Sequence, residues 1–171
     1  YGCGLAEERL GATLGGTPAR DIVVSTKVGK ALAPVGSGGQ RQRDLDFPGG
    51  HDTEMGFDYS YDGTLRMVED SLVRLGRDRV EMLLVHDVIR HFHGDGGVHA
   101  VARRALEGTM KALHRLRSEG VVRAIGTGLK DVDIAEFFVE EADIDVVLVP
   151  GRVTLLDQSA DASGLLDLCL K

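Results

Sequence analysis

What constrains this chain most is an alternation. Short runs that are apolar at nearly every position are separated by longer stretches in which apolar residues return every three or four positions. The runs Asp21–Lys27, Val80–Val85, Val121–Ile125 and Ile144–Val149 are rich in β-branched and other apolar residues, and Val80–Val85 is apolar except for Glu81. A strand that is apolar on both faces must be covered on both, and this happens in parallel sheets whose crossover helices pack on the two sides. The stretches between them read as those helices: Glu7 to Leu14, a segment from Asp62 with Leu65, Val68, Leu72 and Leu75 on one face, Ala102–Arg117, Val132–Val139, and a last one from about Ser159. Ser60 or Asp62 is placed to cap the second helix, and Gly76 to end it. The pattern therefore predicts an α/β fold, with residues 1–171 forming one domain. Gly29 to Gly56 stands apart, rich in Gly, Pro, Asp and Arg with no apolar period. It reads as a long loop, either a functional lid or a disordered excursion. Periodicity alone does not separate an open sheet from a closed barrel.

Composition narrows the function classes. A formal net charge of -7 argues against a general nucleic-acid binder, because neutralising phosphates requires clustered Lys and Arg. Here the basic residues are scattered, and Arg41 and Arg43 are offset by Asp44 and Asp46. No apolar run approaches the roughly 20 residues that span a bilayer, and no secretory leader pattern is present. Cys3 and Cys169 sit far apart, without metal-type spacing, which predicts a reducing, cytoplasmic setting. Tyr1 opens abruptly in a glycine turn, and Leu165 to Lys171 stops inside an apolar helical run. The expectation is a fragment of a longer chain, poorly stable by itself because an open barrel leaves sheet edges uncovered.

Three reactive side chains stand where successive parallel strands would end: Tyr1 in Tyr-Gly-Cys-Gly, Lys27 closing Val-Val-Ser-Thr-Lys, and His86 closing Met-Leu-Leu-Val-His. Carboxyl ends of neighbouring strands converge on one pocket mouth. A phenol, an ammonium and an imidazole meeting there can move protons in a carbonyl/alcohol interconversion, which points to a nicotinamide-dependent reductase or dehydrogenase. A nearby ammonium is expected to lower the phenol's pKa, and a neutral imidazole to direct the substrate oxygen. Other signals are weaker. Gly126-Thr-Gly128 suggests a dinucleotide fingerprint, but its third glycine would be residue 131, which is Asp131. It reads instead as a strand-to-helix turn. Gly36-Ser37-Gly38-Gly39 lacks the Lys of a phosphate loop. His91, His93 and His99, with Asp95, match no zinc spacing and read as a polar loop, so no metal site is expected. Cys3 reads as an exposed thiol with no base to activate it.

The segment from Phe57 through Tyr-Ser-Tyr-Asp-Gly, Glu69-Asp-Ser-Leu-Val-Arg-Leu-Gly76 and Leu84-Val-His-Asp87 resembles the aldo-keto reductase superfamily, and within it the group of aldose and pyridoxal dehydrogenases. Gly120-Val-Val-Arg-Ala-Ile-Gly126 and Gly151-Arg-Val-Thr-Leu-Leu-Asp-Gln158 are similar to later segments of the same group. The resemblance implies part of a (β/α)8 TIM barrel, from the end of strand 2 to helix 6. It places the family's catalytic tyrosine, lysine and histidine at Tyr1, Lys27 and His86. The family's fourth catalytic residue, an aspartate, would precede Tyr1, and its grip on the cofactor phosphate would follow Lys171. It also implies NAD or NADP as cofactor, nicotinamide contacts at Gly128 and Leu129, and a small aldose or aldehyde as substrate. Here the family's Ser-Asn pair is replaced by Gly128-Leu129, its sixth-strand glutamine by Pro150 and the group's aromatic by Val153. Pyridoxal oxidation and general aldehyde reduction are the enzymatic alternatives. A cofactor-binding regulatory barrel or an inactive fragment is the non-enzymatic one.

Overall fold

The computed structural model describes residues 1–14, 17, 22–41 and 49–171. In chain order its elements begin with α1 (Leu5–Leu14), β1 (Ser25–Val28), β2 (Lys30–Ala33), β3 (Gln40–Arg41), β4 (Glu54–Phe57), α2 (Tyr61–Leu75) and β5 (Met82–His86). Then come α3 (Arg90–His93), α4 (Val98–Ala105), a π-helical turn (Leu106–Met110), α5 (Lys111–Ser118), β6 (Ala124–Gly128), α6 (Val132–Glu141), β7 (Val146–Leu148), α7 (Ser159–Ala162) and α8 (Leu165–Leu168). The strands β1-β5-β6-β7 form one sheet in that order, every pairing parallel. Helices α2 and α4–α5 cover it.

Local chemistry explains α2. The Ser60 hydroxyl accepts the Gly63 N–H at 3.1 Å, and Gly76 ends the helix at φ 59°, its N–H reaching the Leu72 and Val73 carbonyls. Both were expected from sequence. The third strand was not placed correctly: β6 occupies Ala124–Gly128 rather than Val121–Ile125, so Gly126 and Gly128 are strand residues and not a turn. The reason is the neighbour. A Cβ on Gly126 would stand 1.9 Å from the Val146 carbonyl oxygen, so β7 can pair here only against a glycine. β1 is likewise later than expected, Asp21 lies outside the described residues, and Val24 gives its N–H to the buried Glu81 carboxylate at 2.9 Å. The expected last helix is two short ones, α7 and α8.

The expected loop from Gly29 to Gly56 is overturned in its described part. β2, β4 and β3 form a small antiparallel sheet, with Lys30 opposite Phe57 and Ala33 opposite Glu54. Strands of two to four residues are too short to display a period-2 pattern. The glycine-rich turn is pinned by Glu54, whose carboxylate accepts from Gly36 N–H at 2.7 Å and Gly39 N–H at 2.9 Å.

The core lies between the parallel sheet and its helices, where Leu83, Val85, Leu113, Ile125, Ile134 and Phe138 are completely or almost completely buried. A second cluster, Ala135, Ala160 and Leu165, seats α7 and α8 against α6. Among the described residues no helix is long and apolar enough to cross a membrane.

Candidate active site

Parallel register brings the reactive side chains together. β1 pairs with β5 in step, Lys27 opposite Leu84, and β5 with β6, His86 opposite Gly128. Lys27, His86 and Gly128 thus sit at adjacent strand ends. Tyr1 reaches the same place from the turn that leads into α1: its ring is 6.0 Å from the His86 ring, edge to face, and 5.3 Å from the Lys27 ammonium. A cavity of about 390 Å³ opens beside them, lined also by Glu7, Lys30, Met55, His91 and Phe92.

The electrostatics confirm one expectation and reverse another. Burial lowers the His86 pKa to about 4, against the pull of the Asp87 carboxylate, so the imidazole is neutral at physiological pH. Tyr1 moves the other way from what was expected. Its phenol is raised above the ordinary value, first by partial burial and then by Asp87. The Lys27 ammonium lies over the ring, 5.3 Å from its centre, and does not offset these two effects. Burial also lowers Lys27, with Asp87 and Glu7 opposing.

A second layer holds these groups in place. The Tyr59 hydroxyl donates to the His86 carbonyl at 3.1 Å, and the Tyr59 carbonyl is held in turn by the π-helical turn, through Thr109 N–H and hydroxyl, both at 3.1 Å. Glu7 ties α1 to β1 and α2: it accepts from the Thr26 hydroxyl and from Arg74 Nε at 2.6 Å. Asp87, buried and at φ 56°, pairs with Lys30 and stands 3.4 Å from His86 Nε2. The Arg90 guanidinium clamps Asp133 with bonds of 2.8 and 2.6 Å, tying the exit of β5 to the start of α6.

The remaining expectations divide. Gly128 faces the cluster: a Cβ there would lie 3.6 Å from Lys27 Cε and 3.7 Å from His86 Cδ2. It is buried, and Leu148 Cδ2, at 3.8 Å from the same point, closes its other side. Leu129 turns away, its side chain 1% exposed in the core and its N–H given to the Leu148 carbonyl at 3.0 Å. The three loop histidines do not meet. His91 lines the cavity, His93 packs 4.7 Å from the Phe57 ring, and His99 lies near Asp133. Among the described residues no group of three or more His, Cys, Asp or Glu is arranged to hold a metal ion. Cys3 is buried, not exposed, at φ 49°. Sequence reading missed Glu7, Lys30, Tyr59 and Asp87. For Asp87 one signal was available, its place next to His86 at a strand exit.

A parallel sheet flanked by helices, with an ammonium and an imidazole at the carboxyl ends of its strands and a phenol brought to them by the turn before α1, defines about half of a (β/α)8 barrel with a polar site at its mouth. The chain belongs to the aldo/keto reductase family, which it matches over residues 1–171. It is 39% identical to a D-threo-aldose 1-dehydrogenase from a Pseudomonas species over 173 residues, covering 99% of this chain and 49% of that protein. It is 36% identical to a pyridoxal 4-dehydrogenase from Microbacterium luteolum over 174 residues, covering 96% of this chain and 50% of that protein. The chain spans about half the length of the curated relatives it matches. In fold it resembles the holo form of aldo-keto reductase AKR11C1 from Bacillus halodurans, with a TM-score of 0.56 at 23% identity, over 82% of this chain and 38% of that one.

Proposed function

We propose that residues 1–171 are an incomplete part of the single barrel domain of a cytoplasmic NAD- or NADP-dependent oxidoreductase that oxidises an aldose at its anomeric carbon, and that Tyr1, Lys27 and His86 are its catalytic residues. The convergence of these three side chains on one cavity carries the reading. The dehydrogenase relatives support the substrate class. Pyridoxal is the second substrate to consider, from the 36% identical relative.

The residues present fit a nicotinamide ring, because the cavity of about 390 Å³ beside Tyr1, Lys27 and His86 leaves room for one at the strand ends. When bound, the nicotinamide supplies hydride acceptance in oxidation and hydride return in reduction. Neutral His86 donates a hydrogen bond to the substrate oxygen and fixes its direction. Tyr1 takes the hydroxyl proton in oxidation and gives it back in reduction. Its raised pKa keeps the phenol protonated at neutral pH, which suits the reductive direction and makes oxidation favour alkaline conditions. Lys27, over the ring face, holds the phenol in position.

The test is an assay of the intact protein with aldoses, pyridoxal and simple aldehydes, with each nicotinamide nucleotide, followed by nicotinamide absorbance. Aldose-dependent reduction of the nucleotide is expected. Turnover of none of these substrates would refute the reading.

A further inference from the structure

Lys30 opens β2 only three residues beyond Lys27, yet both line the same cavity. Gly29 makes this possible. Its φ of 114° turns the chain between the two strands, and a Cβ there would stand 2.6 Å from the Tyr59 ring and 2.9 Å from the His86 carbonyl oxygen. The Lys30 ammonium is fixed from two sides. It is ion-paired with buried Asp87, and it lies 4.8 Å from the centre of the Phe92 ring. An ammonium carries three N–H donors. One carboxylate partner and one ring face hold its position and leave donor capacity toward the cavity, where His86 and Tyr1 also stand.

We infer that Lys30 is a specificity-determining residue that donates to a substrate hydroxyl remote from the reacting carbon, selecting polyhydroxylated hemiacetals over apolar ones. The inference rests on the dehydrogenase reading and deepens it. Phe92 offers the apolar face against which the C–H side of a sugar ring packs, so cation and ring together suit a group that is polar on one edge and apolar on one face.

The test compares an aldopyranose with 2-hydroxytetrahydropyran, the same cyclic hemiacetal without the other ring hydroxyls. Both undergo one reaction: the anomeric C–H leaves as hydride to the nicotinamide, the O–H proton passes to the enzyme's base, and a lactone forms. In the intact wild-type protein, monodeoxy aldoses are expected to lose on the order of tenfold in kcat/KM at one ring position and little elsewhere, the worth of a hydrogen bond to a charged donor. In Lys30→Met the aldose-to-lactol ratio of kcat/KM falls by about the same factor, and the sensitive position loses its penalty. A ratio unchanged within about twofold overturns the inference, however far each rate falls. So does a wild-type deoxy series with no single sensitive position, which decides the matter even if the variant does not fold. If the wild type oxidises neither substrate with either nucleotide, the dehydrogenase reading fails, and this inference with it.

Discussion

Glu7→Gln removes one charge from a joint between three elements. The carboxylate accepts from Thr26 of β1 and Arg74 of α2, and Arg74 also donates to Ser71 at 3.1 Å. The side chains of the ion pair are 17% and 21% exposed. Breaking a fully buried pair costs about 3–5 kcal/mol, while a surface pair is worth about 0–1 kcal/mol. Glutamine keeps the shape and an acceptor for Thr26, so the loss is the counter-charge of Arg74 at intermediate burial, about 2 kcal/mol. At about 2–4 °C per kcal/mol for a chain of this size, Tm should fall by about 4–8 °C at neutral pH. The pH dependence is a sharper test. Burial alone would raise the Glu7 carboxyl, but the donors from Thr26 and Arg74 outweigh it and hold the folded-state pKa below the ordinary 4.5. The contribution is therefore fully present above 4.5 and lost as pH falls through the folded value. Urea unfolding of the intact protein and its variant should give stabilities that differ at neutral pH and converge in acid. The acid response of His86 is common to both and cancels in the difference. An offset below about 0.5 kcal/mol at neutral pH, or one that persists undiminished in acid, would refute the reasoning.

Tyr1→Phe should lower kcat by about 10²–10⁴-fold while changing KM far less; equal loss in both would move Tyr1 from proton transfer to binding. Because the phenol is raised above 10.0, oxidative kcat/KM in the wild type should still be climbing at that pH, and a plateau near neutrality would contradict the environment described for Tyr1. NMR titration should place the His86 midpoint near 4. The unfolded chain then binds more protons than the folded one between about 4 and the ordinary 6.5, so His86 costs stability as pH falls through that window. A midpoint at or above 6.5 would contradict the burial described for His86. Gly29→Ala should cost about 2–4 kcal/mol, combining strain at φ 114° with overlap on Tyr59 and the His86 carbonyl, and a wild-type melting temperature would show that this turn relaxes freely.

Much of the scaffold was legible because its causes are local. α2 is written in the spacing of Leu65, Val68, Leu72 and Leu75, in the Ser60 cap and in Gly76. β5 is an apolar run closed by His86, and the reactive trio could be proposed from strand ends alone. Features whose causes are distant were misread or missed. β6 lies three residues later than its own sequence suggests, because pairing with β5 and β7 sets its register. The small β2-β4-β3 sheet was taken for loop because strands so short are specified by their partners. Cys3 looked exposed beside its glycines and is buried.

The sequence by itself determined the α/β class and allowed the three reactive side chains to be proposed, both from periodicity and residue type, which are properties of short segments; the family came from the resemblance of its motifs to known proteins. Only the tertiary structure decided how those side chains behave. Burial neutralises His86, and partial burial, together with Asp87, leaves the Tyr1 phenol protonated rather than primed as phenolate. The left-handed turn at Asp87 and the kink at Gly29 bring Lys30 to the cavity. Desolvation and charge–charge interaction depend on distances between residues far apart in the chain, and those distances exist only once the strands have closed side by side.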